Sequence, residues 1–212
     1  MIFDFSTMSV AARDRLLHAT IVPRPIAWII SMRDDGHINM APFSFFNLIS
    51  IDPPLICVGI GKKRSGGLKD TARNILDTKQ FVVNLVPYDS RHAMNLTSGQ
   101  FPDDVDEMAL AALHPLASYL VRPPRVAESP VALECELAHS IELAEHSYAF
   151  FARVLAMHVC DDAIENPDKP YIRTEALDLI ARMHGGGWYA RTTSIFQLAR
   201  PDESVVAKHV QA

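Results

Sequence analysis

Residues 62–74 (KKRSGGLKDTARN) combine the groups that a phosphate ester requires. The lysines and arginine supply positive charge, and the paired glycines Gly66 and Gly67 let the backbone approach a ligand closely. A helix is predicted to begin near Asp70, and the first turn of a helix offers unbonded N–H groups and the positive end of a dipole. The GxxxxGK[ST] spacing of a nucleoside triphosphate loop is absent, so the segment predicts a different kind of phosphate site. A solvated basic turn capped by Asp70 is the alternative.

A second group of residues suited to ligand binding lies upstream. Arg24 stands between Pro23 and Pro25, whose rings fix φ and thereby restrict where the guanidinium can lie. An arginine held in this way suits recognition of a phosphate or a carbonyl group. Residues 41–47 (APFSFFN) mix an apolar wall with hydroxyl and amide groups, which is typical of a pocket for a flat heteroaromatic ligand. Packing in the core is the alternative for these phenylalanines.

The third candidate is the segment at residues 184–191 (HGGGWYAR). Three consecutive glycines are unfavourable inside a strand, so we expect something to pass close to that backbone. His184, Trp188 and Tyr189 flank this permissive stretch and are candidates for ligand contact. A flexible loop with a chance histidine is the alternative.

Other kinds of site find no support in the sequence. The dinucleotide fingerprint GxGxxG, the metal motifs CxxC and HExxH, and the serine nucleophile motif GxSxG are all missing. The nine histidines are dispersed, so no metal site is predicted. Cys57, Cys135 and Cys160 lie in apolar runs. An odd number without close pairing predicts reduced, buried thiols in a cytoplasmic protein.

Strands must position most of these residues, because the apolar runs of the chain have strand length and end at turn signals. Asp35 and Gly36, between two such runs, predict a tight hairpin. Apolar and polar residues alternate over 131–143, which predicts a strand with one buried face and one exposed face. Strands are predicted at residues 25–32, 37–42, 54–60, 80–86, 131–143, 147–160 and 188–198.

Helices are fewer in this prediction. One is expected at residues 70–78, with Asp70 or Thr71 as its cap, and weaker ones at 88–96 and 106–113. Three prolines make residues 121–130 an extended connection, and the polar residues after Pro201 are predicted to form no regular element. The whole pattern predicts a single mostly-β domain over residues 1–212, a barrel with helical insertions.

Charge and hydropathy exclude several classes of partner. The chain has 212 residues and a formal net charge of −5, and its 20 Lys and Arg residues are scattered. Nucleic acid and anionic membranes are therefore not expected as partners, which leaves small molecules or protein. The N-terminus lacks the features of a signal peptide, and the apolar runs are too short to span a bilayer.

Eight motifs in the same order resemble the flavin reductase-like family, whose members have an FMN-binding split β-barrel. The resemblance covers about residues 15–200. The motifs are PRPIAW (23–28), APFSFFN (41–47), DPPLICVGIG (52–61), KDTARNI (69–75), FVVNLV (81–86), MNLTSG (94–99), RPPRVAESPVALEC (122–135) and GGGWYAR (185–191).

This resemblance implies a Greek-key antiparallel barrel and a homodimer with FMN at or near the subunit interface. It implies that Asn95 and the GGGWYAR segment with Tyr189 close over the site, from the same or the partner subunit. Flavin phosphate would be held around Arg64, Lys69 and Thr71. The ring and ribityl contacts would come from Arg24, Ser44, Phe45, Phe46 and Asn47, many of them through backbone atoms.

The leading functional hypothesis is hydride transfer from NADH or NADPH to FMN, with Arg24 near the flavin and His184 near the nicotinamide or the acceptor. Electrons would then pass to free flavin, a partner monooxygenase or another diffusible acceptor. One alternative is direct reduction of a nitroaromatic acid, whose carboxylate would need Arg91, Arg182 or Arg191. The others are a non-enzymatic FMN electron carrier and a haem or pyridoxine-type relative.

Overall fold

The computed structural model describes residues 1–201, so the prediction for the residues after Pro201 lies outside this part of the chain. Its α-helices are α1 (Val10–Thr20), α2 (Asp70–Thr78), α3 (Arg91–Leu96) and α4 (Glu107–Leu110). Its strands are β1 (Ala27–Met32), β2 (Ile38–Phe43), β3 (Phe46–Ser50), β4 (Leu55–Ile60), β5 (Gln80–Asn84), β6 (Pro115–Leu116), β7 (Arg125–Val126), β8 (Val131–Ala144), β9 (Ser147–Val159), β10 (Ile164–Asn166), β11 (Tyr171–Ile172), β12 (Ile180–Arg182) and β13 (Tyr189–Arg191). Strand residues outnumber helical ones, which confirms the prediction of a mostly-β chain.

Seven strands form one antiparallel sheet in the order β2-β1-β5-β8-β9-β4-β3. Strand β1 pairs with β2 through the predicted hairpin, and its other edge pairs with β5. Strands β8 and β9 form a long hairpin, and β4 lies on the far side of β9. Because β5 and β4 pair with strands distant in sequence, the chain crosses the sheet as it does in Greek-key topologies.

Strand β1 is buried on both faces and separates two apolar clusters. Ile29 belongs to the cluster formed with β4, β5, β8 and β9. Trp28, its neighbour, packs on the opposite side against Met94 of α3. The Trp28 indole also donates a hydrogen bond of 2.9 Å to Thr97 Oγ1, which fixes the start of the loop after α3.

Strand β8 forms where predicted, but the predicted alternation of a buried and an exposed face is wrong. Glu134, expected to face solvent, is fully buried, whereas Ile141 and Leu143, expected to be buried, are exposed. The cause is which parts of the strand are covered. Residues 131–135 are buried on both faces, with residues 119–121 lying over the Glu134 side chain, whereas residues 139–144 are exposed on both faces within chain 1–201.

Helix α2 has the predicted bounds, but neither Asp70 nor Thr71 caps it. The N-cap residue is Lys69, and no side chain in residues 1–201 accepts a capping hydrogen bond from the first turn. Asp70 pairs with Lys63 and Arg73 instead. The first-turn N–H groups of α2 are therefore available to a ligand.

Other elements differ from the sequence prediction in extent. The strand expected at 188–198 is confined to β13, and residues 192–200 form no strand. The helix expected at 88–96 consists of a 3-10 turn followed by α3. The helix expected at 106–113 is shorter than predicted and corresponds to α4. Helix α1 and strand β3 were not predicted, and neither were the short strands β6, β7, β10, β11 and β12. Strand β7 lies within residues 121–130, which were expected to be a connection without a strand.

In the part of the chain that the structure describes, no helix has both the length and the apolar character to cross a membrane. The three cysteines are unpaired, and Cys135 is buried as predicted, whereas Cys57 and Cys160 are only half-buried. Burial raises the pKa of the Cys57 and Cys135 thiols, which keeps them protonated and unreactive.

Candidate functional site

A cleft of about 730 Å³ opens where α2 begins, between strand β2 and the loop that follows α3. We call it the cationic cleft. The chain from Lys62 to Thr71 forms one wall, β2 forms another, and residues 97–103 contribute to the rest. The three residues predicted to bind phosphate, Arg64, Lys69 and Thr71, all line it. The structure therefore brings this predicted group together.

The cations of the cleft differ in whether a carboxylate neutralises them. Lys63 Nζ lies 3.0 Å from Asp70 and 2.9 Å from Asp103, and Arg73 contacts the same two carboxylates. Lys62, Arg64 and Lys69, by contrast, have no carboxylate within 4.0 Å among residues 1–201. These three uncompensated charges favour an anionic ligand.

Lys69 lies against an apolar wall of the cleft. Its Nζ is 5.3 Å from the centroid of the Phe43 ring, within the range of a cation–π contact. Burial, and then the charge of Arg64, lowers the pKa of Lys69. A bound anion would supply the missing counter-charge, so the lysine is placed to bind one.

Asn39 of β2 positions the hydroxyl of Thr71. Its Nδ2 donates a hydrogen bond of 2.8 Å to Thr71 Oγ1, and both residues are buried. Because this oxygen accepts from Asn39, its own proton remains available to donate to an acceptor in the cleft.

One buried acid also lines the cationic cleft. Glu107 is the first residue of α4, and its Oε2 accepts the backbone N–H of Met40 at 2.9 Å. Burial raises the pKa of Glu107, and the charges of Asp70 and Asp106 add to the rise. The carboxyl is thereby shifted toward its neutral form, which limits its repulsion of an anion.

The cationic cleft continues into a second cavity of about 360 Å³, which we call the adjoining compartment. The two cavities share Pro42, Phe43 and Ser98 in their walls. The predicted residues Ser44, Asn95 and Tyr189 line the adjoining compartment, together with His18, Ile26, Met94, Arg182 and Gly187. A cationic end joined to a partly apolar end fits a ligand that has a phosphate and a flat ring.

Arg24 does not line either cavity in the described part of the chain. It is buried, and its guanidinium donates hydrogen bonds to the backbone carbonyls of His18, Ile21 and Met183 at 3.0, 2.6 and 2.7 Å. The arginine thus ties the end of α1 to the chain after β12. Its predicted contact with the flavin stays a prediction, because most of its donors already have partners.

The remaining predicted residues lie outside both cavities as residues 1–201 form them. Phe45 is exposed and stacks on His18 at 5.3 Å, whereas Phe46 packs against the core. Asn47 is exposed, and its side-chain oxygen accepts the N–H of Leu48. His184 is exposed and contacts the Trp188 ring at 5.3 Å.

Sequence reasoning missed several residues of the two cavities. His18 lies on α1, which was not predicted, and Glu107 lies on α4, which was predicted only weakly. Asn39 lies on a strand, 32 residues before its partner Thr71. The loop from Thr97 to Phe101 carries no local motif for a ligand beyond the glycine at 99. The only usable signal was the MNLTSG match, which reaches Ser98 and Gly99.

Metal binding has no structural support in residues 1–201, where no three His, Cys, Asp or Glu side chains gather as a metal site requires.

Comparison with known proteins decides the family. The sequence model of the flavin reductase like domain matches residues 19–176. The chain belongs to this family. Among the relatives of this flavin reductase-like protein is an uncharacterized Deinococcus radiodurans protein, 36% identical over 203 residues, which are 93% of this chain and 88% of the relative. Another is the uncharacterized protein YwrF of Bacillus subtilis, 33% identical over 94% of this chain and 98% of its own.

Two crystal structures align with nearly the whole flavin reductase-like chain. Nitrilotriacetate monooxygenase component B from Bacillus cereus shares 31% identity with a TM-score of 0.87, over 93% of this chain and 98% of its own. The 2-nitrobenzoate 2-nitroreductase NbaA from Pseudomonas fluorescens shares 28% identity with the same TM-score, over 96% and 98%. Both support flavin oxidoreduction as the class of chemistry.

A Shewanella frigidimarina protein with a split barrel domain aligns at a TM-score of 0.80 and 20% identity, over 95% of this chain and 100% of its own. Together with the antiparallel sheet, it confirms the predicted split-barrel fold.

Proposed function

We propose that this flavin reductase-like chain binds FMN along the two joined cavities and uses it to oxidise NADH or NADPH. The observation that carries the proposal is the group of uncompensated cations, Lys62, Arg64 and Lys69, where α2 begins. A phosphate monoester carries a charge close to −2 at neutral pH, which Arg64 and Lys69, the two cations that the resemblance implies, would match.

Within the cationic cleft, each group has a distinct part in binding the phosphate. Arg64 and Lys69 supply charge, Thr71 donates its hydroxyl proton, and the first-turn amides of α2 supply backbone N–H groups. Lys63 is already neutralised by Asp70 and Asp103, so it orders the loop rather than binding the ligand. This division explains why only part of a basic run would contact the flavin.

The adjoining compartment suits the ring system. Ser44 and Asn95 offer hydrogen-bonding groups there, and Met94 and Tyr189 offer apolar surface. When bound, FMN supplies the electron-accepting ring that takes hydride from the nicotinamide. The protein residues hold that ring and exclude water from one side of it. Contact between His184 and the nicotinamide stays a prediction.

The electron acceptor is proposed to be free flavin or a partner monooxygenase. The 31% identity to nitrilotriacetate monooxygenase component B supports this choice. A second candidate is a nitroaromatic acid, supported by the similarity to NbaA and by Arg182 in the wall of the adjoining compartment. A non-enzymatic electron carrier is the alternative of another class.

We also propose that the protein is a cytoplasmic homodimer. Helix α1 buries none of its residues against the rest of chain 1–201, and β3 leaves Leu48 and Ile49 exposed, with Ile51 just after it. Apolar side chains concentrated in this way are typical of a surface that a partner covers. A second copy of the chain is the partner that the resemblance implies.

An anaerobic titration of the FMN-loaded protein tests the proposed function. NADH, and then NADPH, is added while the visible flavin absorbance is recorded. Bleaching with either dinucleotide is expected, and addition of free flavin or 2-nitrobenzoate then identifies the acceptor that restores the absorbance. Absence of bleaching with both, despite bound FMN, would leave the electron carrier as the better account.

A further inference from the structure

A third cavity of about 270 Å³ lies next to the adjoining compartment and shares Met94, Asn95, Gly187 and Tyr189 with it. We call it the arginine pocket. Its other lining residues are Tyr88, Arg91, His92, Ile180, Ala190 and Arg191. None of these was assigned to the phosphate or to the ring, and their composition is strongly cationic and aromatic.

Aromatic rings hold the arginines of this region in place. The guanidinium carbons of Arg91 and Arg191 lie 4.0 and 4.4 Å from the centroid of the Tyr88 ring. Arg182 lies 4.7 Å from the centroid of the Tyr189 ring and donates a hydrogen bond of 2.6 Å to its hydroxyl. Stacked guanidiniums lose little further entropy on binding a planar anion, because their orientation is already fixed.

The charges of these arginines are only partly balanced. Asp178 binds Arg191 through both carboxylate oxygens, and Asp89 adds a weaker attraction to the same arginine. For Arg91 and Arg182, residues 1–201 provide no carboxylate within 4.0 Å. Arg182 also lies near enough to Arg24 for its charge, after burial, to lower the pKa of Arg24. An excess of positive charge therefore remains around Asn95 and Tyr189.

Building on the proposed FMN function, we propose that the arginine pocket, with Arg91 and the adjacent Arg182, binds an oxyanion on the small molecule that exchanges electrons with the flavin. That oxyanion is the carboxylate of an aromatic acceptor or a phosphate of the nicotinamide dinucleotide. A carboxylate presents two oxygens, and so does each phosphate group of the dinucleotide's pyrophosphate, and a guanidinium can engage such a pair with two N–H groups. The pocket is separate from the cationic cleft, so it does not compete for the flavin phosphate.

Two ligands distinguish the sources of the oxyanion. Benzoate carries the carboxylate alone, and ADP-ribose carries the phosphates without the nicotinamide. Isothermal titration calorimetry of benzoate and ADP-ribose into the FMN-loaded protein gives the Kd of each ligand without any turnover. Benzamide is the neutral counterpart of benzoate.

Arg91→Gln and Arg182→Gln are each expected to weaken the binding of benzoate or of ADP-ribose by about tenfold. The ligand whose affinity falls identifies the source of the oxyanion. Arg91→Lys and Arg182→Lys keep the charge and are expected to lose less. Benzamide affinity is expected to stay unchanged throughout. Arg122→Gln, an exposed arginine beside Asp34, is the matched control, and thermal melting checks that each variant folds.

Two results would overturn this inference: no binding of either anion to the wild type, or Kd values that are the same in the Gln variants. The proposed function is judged separately, by FMN binding and by bleaching of the wild type. If the wild type binds FMN and its flavin is bleached, but the anion affinities do not change in the Arg91 and Arg182 variants, only the inference about the arginine pocket fails. If the chain binds no FMN, the proposed function fails. The same titrations on the FMN-free chain then still test whether Arg91 and Arg182 bind the anions.

Discussion

At the scale of single residues, the site depends on which charges are already paired. Lys63, Arg64 and Lys69 are close in sequence and chemically alike, yet Asp70 and Asp103 neutralise only the first of them. Charge pairing in the folded chain therefore separates the cations proposed to bind the ligand from structural ones. The basic run drew attention to this segment, and the resemblance implied Arg64, Lys69 and Thr71 within it. Neither pointed to Asn39 or Glu107, which reach the cleft from distant elements.

Replacing Lys69 by glutamine tests its part in phosphate binding. Lys69→Gln is expected to weaken FMN binding by about 10- to 100-fold, since a charge-assisted hydrogen bond contributes about 1.5–3 kcal/mol. Riboflavin, which lacks the phosphate, is expected to bind the variant and the wild type equally. Lys79→Gln, at the exposed far end of α2, serves as control. Equal losses for FMN and riboflavin would assign Lys69 to the ring or to folding instead.

The lowered pKa of Lys69 predicts a pH dependence of FMN affinity. The protonated lysine binds phosphate, so affinity is expected to fall as pH rises through its pKa, which lies below the 10.5 of an ordinary lysine. The test window lies above pH 7, where the phosphate is already doubly ionised. Lys69→Arg is expected to remove this alkaline loss, because arginine stays charged. A wild type and a Lys69→Arg variant with the same alkaline profile would contradict the prediction.

At the scale of elements, local patterns predicted the strands and helices whose signals are strong. The β1–β2 hairpin was recognisable from the turn residues Asp35 and Gly36, and α2 was predicted with the bounds that it has in the structure. Helix α1 was missed because its apolar residues do not repeat at helical spacing along one face, although Ser9 caps it. The strand predicted at 188–198 was wrong beyond Arg191, since apolar residues there do not pair with another strand.

Glu134 shows how a sheet position can override the sequence pattern. Its carboxylate accepts the N–H groups of Tyr119, Leu120 and Val121 and lies 2.6 Å from His158 Nε2, which ties the chain before β7 to β8. Burial alone would raise the pKa of Glu134, but the hydrogen bonds lower it below its usual value. The carboxylate therefore stabilises the fold above the unfolded-state pKa of 4.5, and this stabilisation is lost as pH falls through the lower, folded-state pKa.

Glu134→Gln is expected to lower the free energy of unfolding at pH 7 by about 3 kcal/mol, because an amide cannot accept all these donors. Glu136→Gln, two residues along the same strand and exposed, is expected to change it by less than about 0.5 kcal/mol. Urea unfolding measures both values. The deficit of the Glu134 variant should shrink in acid; a deficit that is constant down to low pH would contradict the assigned role of the charge.

At the scale of the whole molecule, one chain supplies both the cationic cleft and the adjoining compartment. Asn95 and Tyr189, which the resemblance placed at the site from one or the other subunit, line it here within a single chain. The exposed apolar surface of α1 and β3 is still unexplained by a single chain. A homodimer would cover it without being needed to complete the phosphate end of the site.

Light scattering after size-exclusion chromatography tests the proposed homodimer. The wild type is expected at twice the mass of one chain. Leu48→Asp, on the exposed face of β3, is expected to shift it toward the mass of one chain, because a buried charge without a partner opposes association. Asp34→Asn, exposed in the β1–β2 turn, is the control. A wild type with the mass of one chain would contradict the homodimer.

The central claim is that the cationic cleft holds the phosphate of FMN, and the most direct measurement compares FMN with riboflavin on the wild type. Isothermal titration calorimetry gives both Kd values at pH 7.5. The account predicts that FMN binds about 100-fold or more tightly than riboflavin, since two uncompensated cations and a hydroxyl meet its phosphate. Equal affinity for the two flavins would contradict it, because the cationic cleft would then contribute nothing to binding.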